Sequence, residues 1–135
     1  MAVIDYQYQH ATHEQLTKCL HWCRNELELR NHKILLLTGG TPPRKMQDAN
    51  DIMQCCGYMQ ILGTNKAAIW VNTPRLKADN YNPYSTVIHE ATHISLIRYG
   101  DDSEDVVCIF EPILYRSFCR GNGIKIAKER TLEVD

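Results

Sequence analysis

At 135 residues and 44% hydrophobic content, the chain is sized for one domain with a real core and leaves no room for a second of ordinary size. Its 15 basic and 16 acidic residues are well mixed and sum to a formal charge of -1, which gives no electrostatic footprint for nucleic acid or an anionic membrane. The opening Met1-Ala2-Val3-Ile4-Asp5-Tyr6 lacks a basic region followed by an apolar run, and no stretch approaches the ~18 apolar residues of a membrane span, so a soluble, cytoplasmic protein is expected.

The first predicted element is a helix from Thr12 to about Asn31. Thr12 can cap it with Gln15 three residues later, and Leu16, Cys19, Leu20, Cys23 and Leu27 recur at helical spacing. Cys19 and Cys23 sit four apart, a spacing that can clamp a metal but that fits the apolar face of this helix better. With no secretory leader expected, all six cysteines are read as reduced thiols.

Ile34 to Thr38 reads as a short buried strand closed by Gly39-Gly40, followed by a loop through Pro42-Pro43. Residues 46 to 56 mix helical and loop signals and receive no assignment. Tyr58 to Leu62 and Ala67 to Val71 are strand-like, and Gly63-Thr64-Asn65-Lys66 between them predicts an antiparallel hairpin. A polar loop through Pro74, Asp79, Asn80 and Pro83 leads to a second helix, carrying Val87, Ile88, Ala91 and Ile94 and stopping at Gly100. Ser103 caps a third helix, with Glu104 and Asp105 in its first turn and Gly121 at its end. The charged tail from Lys125 to Asp135 is expected to be only partly ordered.

The chemistry is concentrated in His89-Glu90-Ala91-Thr92-His93. Histidines at i and i+4 project from one face of a helix about 6 Å apart, close enough to share one tetrahedral zinc ion. Glu90 lies too far round the helix to join the same ligand set, but it can hold a water as general base.

A catalytic zinc takes three protein ligands and a water, so a third donor is required. From His93 the helix runs on to Tyr99, about 9 Å, and a returning helix that starts near Ser103 or Glu104 regains the level of His93 close to Glu111. On this ladder Glu104 falls about 10 Å short. Pro112 complicates the assignment, since proline disfavours helix at the preceding residue. If the third helix begins only at Pro112, then Asp101, Asp102, Glu104 and Asp105 compete with Glu111. Tyr115 shares the Glu111 face and is a candidate catalytic hydrogen-bond donor or an interfacial core residue; Tyr84, Tyr99 and Arg116 are weaker candidates.

With these residues in view, the chain resembles the zincin superfamily of metallopeptidases, in which a His-Glu-x-x-His helix packs under a small sheet. The resemblance covers roughly residues 12 to 120 and has its one sharp element at 89 to 93. It implies an α+β, minimal zincin-like fold: one domain over 1-135, with a small, mostly antiparallel sheet of about three strands on an active-site helix and two or more further helices. Leu96, Ile97 and Tyr99 stand where the histidine-based branches would need glycine or histidine. A downstream glutamate is similar to the gluzincin branch, including compact ImmA-like proteases.

That resemblance implies zinc at His89, His93 and Glu111, with Glu90 as base, acting on a polypeptide substrate. It also implies that Ala67 to Val71 pairs with extended substrate along the cleft, where Trp70 would line a subsite or belong to the core. The competing expectations are a zinc-binding regulatory or interaction module without peptidase activity, and an interaction module in which the motif is coincidental.

Overall fold

Thr12 starts the first helix as its composition requires: its hydroxyl accepts from the Gln15 amide at 3.1 Å, and the Gln15 side chain accepts from the Thr12 amide at 2.8 Å. The computed structural model describes residues 2–49, 51–101 and 103–133. Its elements run β1 (Ala2–Tyr6), α1 (His13–Glu26), β2 (Lys33–Thr38), β3 (Gly57–Gly63), β4 (Lys66–Val71), α2 (Thr73–Asp79), α3 (Pro83–Ile97), α4 (Glu104–Asn122) and β5 (Glu129–Glu133). Helix α1 stops at Glu26, short of Asn31, because the chain turns through Glu28 at a left-handed φ of 59°.

The main sheet has the order β2-β4-β3, with β2 parallel and β3 antiparallel to β4, so the α+β expectation is met by a mixed sheet. The predicted hairpin is present, with Asn65 at a positive φ in its turn and a register shift between Ile61 and Gly63. Strand β4 is central and buried on both faces, which explains its unbroken apolar run. Ala67, Ile69 and Val71 point into the main core with α1 and α3, while Ala68 and Trp70 point the opposite way, under Met46 and Ile52. Residues 46 to 56 owe their mixed signals to this cover, a loop with two short 3-10 turns, Arg44–Met46 and Ile52–Gln54.

Trp70 is therefore a core residue, with its indole N–H donating to the Gly39 carbonyl at 3.0 Å. Because β4 has neighbours on both edges, it cannot receive a further strand; the free edge beside α3 is that of β3.

Three further expectations are corrected. The stretch after Asn72 is a helix, α2, and not only a loop: Asn72 caps it, Pro74 occupies its first turn, where the missing N–H costs nothing, and Asn80 closes it at φ 58°. The third helix runs on to Asn122 and is closed by Gly123 at φ 66°, not by Gly121. Within the stretch from Lys125 expected to be only partly ordered, residues 129–133 are paired, since β5 runs antiparallel to β1 with Asp5 opposite Arg130 and Tyr6 opposite Glu129, while 134–135 lie outside the described residues.

Pro112 sits inside α4. It lacks the N–H that would bond the Cys108 carbonyl, so this turn is weakened without ending the helix. The core between α1, α3 and α4 holds Leu16, Leu20, Val87, Ile88, Ile94 and Phe118, each such side chain contributing about 1.5–3 kcal/mol on burial. Among the described residues, no helix is long and apolar enough to cross a membrane.

Candidate metal centre

Helix α3 carries the motif. Asn82 caps it, accepting from the Ser85 amide at 3.1 Å, and Pro83 opens its first turn. Val87, Ile88, Ala91 and Ile94 anchor it in the core, which leaves His89 and His93 on the face turned to α4. Their rings lie 4.9 Å apart between centroids, and His89, Glu90 and His93 each offer a donor atom within 4.8 Å of the others.

Helix α4 supplies carboxylates to both sides of the His89 ring. Glu104 Oε1 is 2.5 Å from His89 Nε2, and its other oxygen is 3.2 Å from His93 Nε2. Both Nε2 atoms thus converge on one carboxylate. Glu111, buried beneath, meets His89 from the other side, with Oε1 2.8 Å from Nδ1.

The structure therefore places Glu111 away from the Nε2 side where the histidines converge, and it places Glu104 there instead. The ladder estimate treated the helices as parallel rods and gave side chains no length; in addition, α3 ends at Ile97, two residues before Tyr99. Asp101 accepts from the Ser103 amide, Asp105 lies exposed in the first turn of α4, and neither lines the cleft. Asp102 lies outside the described residues.

These charges set the site's electrostatics. Burial works to lower the pKa of His89, but the hydrogen bonds to Glu104 and Glu111 outweigh it and raise the imidazole to about 10. Hydrogen bonds from His89 and His93 hold Glu104 well below the usual carboxylate range. Burial raises the pKa of both Glu90 and Glu111, against the pull of the neighbouring imidazoles. Cationic charge beside Glu104, carried by protonated histidine or by a metal ion, balances that carboxylate.

The site opens into a cleft of about 510 Å³ lined by His89, Glu90, Glu104, Glu111, Gly57 and Asp5, among others. Gly57 is required by close approach: a Cβ there would come within 2.5 Å of Thr86 Cγ2 and 3.6 Å of Glu90 Cγ. Asp5 is buried, accepting from the Tyr6 amide at 2.7 Å and from the Ser85 hydroxyl at 3.4 Å, and burial raises its pKa. Cys108 also lines the cleft, one turn after Glu104.

Sequence reasoning missed Asp5, Gly57 and Cys108. The i, i+4, i+7 spacing of Glu104, Cys108 and Glu111 was the available signal for the last.

Tyr115 is not part of the cleft. Its hydroxyl donates to Gln9 Oε1 at 2.8 Å and accepts from the Ala127 amide at 3.0 Å, and its ring stacks on Tyr6 at 4.2 Å. Tyr84 packs on Phe118, Tyr99 reaches Glu28, and Arg116 pairs with Glu129. Cys19 and Cys23 are buried in the core.

The donor set fits a borderline metal ion such as zinc, with imidazoles and a carboxylate and the second nitrogen of His89 held by a further carboxylate. Compared with protein-family models, curated proteins and solved structures, the chain matches none.

Proposed function

We propose that this protein is a zinc-dependent metallopeptidase of zincin type, with zinc held by His89 Nε2, His93 Nε2 and Glu104. The observation that carries the reading is the convergence of both Nε2 atoms on the Glu104 carboxylate, beside the buried Glu90. Glu111, expected from sequence as the third ligand, takes a supporting role here. As acceptor for the Nδ1 proton of His89, it fixes the tautomer whose Nε2 lone pair faces the metal.

Zinc, when bound, polarises a carbonyl and makes water a nucleophile near neutral pH. Glu90 would take a proton from the attacking water and return it to the leaving amine, a role suited to a carboxylate that faces the cleft and whose pKa burial raises. An extended polypeptide is the substrate class that suits the cleft. Its wall at Gly57 and Tyr58 is the start of β3, and a peptide laid along this free edge would bring its carbonyls past Glu90.

Metal analysis of the purified chain, together with proteolysis assays on wild type and Glu90→Gln, tests the reading. One zinc per chain in both, with hydrolysis lowered about 10²–10⁴-fold in the variant, is expected. Zinc binding with equal or no hydrolysis in both proteins sinks the peptidase reading and leaves a zinc-binding module.

A further inference from the structure

The cleft holds a second group of potential metal donors, of which the peptidase reading uses His89 and Glu104 and leaves Cys108 without a role. His89, Glu104 and Cys108 each offer a ligand atom within 4.8 Å of the others, and the Cys108 Sγ lies 3.9 Å from Glu104 Oε1. Donors that share one zinc at about 2.0–2.3 Å bond lengths stand roughly 3.3–3.8 Å apart, so the thiol needs to move only on the order of 1 Å to join them. A rotation of the Cys108 side chain between staggered rotamers covers that distance. A second observation points to a cation at the same place. The Glu90 carboxylate, 8% exposed, faces this cleft and makes no hydrogen bond to protein among the described residues.

We propose that Cys108 is a further protein ligand of the same metal ion, joining His89 and Glu104, whose second oxygen lies 3.2 Å from His93 Nε2, so that the resting site is closed to water. The inference rests on the metal reading above and adds its regulation. Coordination breaks the S–H bond, forms a metal–sulfur bond and releases the proton to solvent, so no oxidant or reductant is involved. The thiolate then takes the position a water needs, and hydrolysis requires that Cys108 swing away. A soft thiolate beside two imidazoles and one carboxylate is a donor combination zinc accepts readily. The placement on α4 makes release local: Glu104 and Cys108 are one turn apart, so Glu104 can stay bound while the Cys108 side chain rotates away.

Cobalt(II) added to the purified full chain reads the proposal directly, because a thiolate ligand gives a sulfur-to-cobalt charge-transfer band in the near ultraviolet. Wild type is expected to bind one Co²⁺ and show the band. Cys108→Ser and Cys108→Ala are expected to bind one Co²⁺ and lose the band, with far-ultraviolet circular dichroism confirming the fold. One bound Co²⁺ without the band in wild type, or a band that persists in both variants, overturns the role of Cys108 and leaves the metal site standing. If wild type binds no Co²⁺, the metal reading falls and this inference with it.

Discussion

His89 and Glu111 are joined through the ring nitrogen that faces away from the converging Nε2 atoms, at 2.8 Å, in a contact buried between α3 and α4. A carboxylate in that position orients an imidazole and raises its basicity, while a carboxylate at Nε2, where Glu104 lies, competes for the same space as a metal or binds it. Glu111→Gln is accordingly expected to weaken zinc affinity about 10–100-fold while one zinc per chain still binds. Glu104→Gln should cost more than Glu111→Gln. Competition titrations with a chromophoric chelator measure both, and the reverse order would restore Glu111 as the third ligand.

The Tyr115 hydroxyl serves the fold. Tyr115→Phe takes one donor from Gln9 Oε1, which keeps the Asn82 amide at 3.2 Å, and leaves the half-buried Ala127 N–H without its acceptor, a loss of about 1–3 kcal/mol. Urea denaturation should show that loss, and zinc affinity should not change. A drop in turnover at unchanged stability would instead put the phenol in the chemistry.

Gly57 lets the edge strand β3 lie directly on α3. Gly57→Ala forces a methyl against Thr86 Cγ2, an overpacking expected to cost about 1–3 kcal/mol. Thr86→Ser removes that methyl while keeping the hydroxyl, so the double variant should regain most of the stability. If the double variant is as unstable as Gly57→Ala alone, the contact is not the cause.

His32 is buried, and its Nδ1 has no hydrogen-bond partner among the described residues. Burial lowers its pKa, helped by the charges of Arg98 and Arg24. The unfolded chain therefore takes up this proton first as pH falls. The contribution of neutral His32 is complete above its ordinary value near 6.5 and is lost as pH drops below it. Thermal melts from pH 7.5 to 5 should fall more steeply for wild type than for His32→Asn. Parallel slopes would remove His32 from the acid response.

Local signals were legible in the sequence. The capping box at Thr12, the hairpin turn through Asn65, the helix carrying Val87 to Ile94 and the Ser103 cap are each written within a few residues, and the structure holds all four. The pair His89 and His93 was legible for the same reason, since helical spacing alone puts them on one face. The distance of Glu104 from that pair depends on how two helices cross and how far a glutamate side chain reaches, and neither is encoded in spacing. Helix α2 was hidden by Pro74 and Asn80, which read as loop residues although here they open and close a helix. The partnership of Asp5 with Arg130 was beyond reach, because both strands are five residues long and separated by nearly the whole chain.

That partnership has a kinetic side. The helices bearing His89 and Glu104 are joined by a short turn, so closing them together costs little chain entropy. The strand that brings Asp5 to the cleft must instead find one at the other end of the chain, and the entropic penalty grows with the length of the loop closed. The α3–α4 pair is thus expected to form early in folding, and the wall carrying Asp5 and Leu132 late. A cation captured by the early helix pair would meet an open, solvent-filled groove, and the cleft would take its final shape only after the ends of the chain had come together around it.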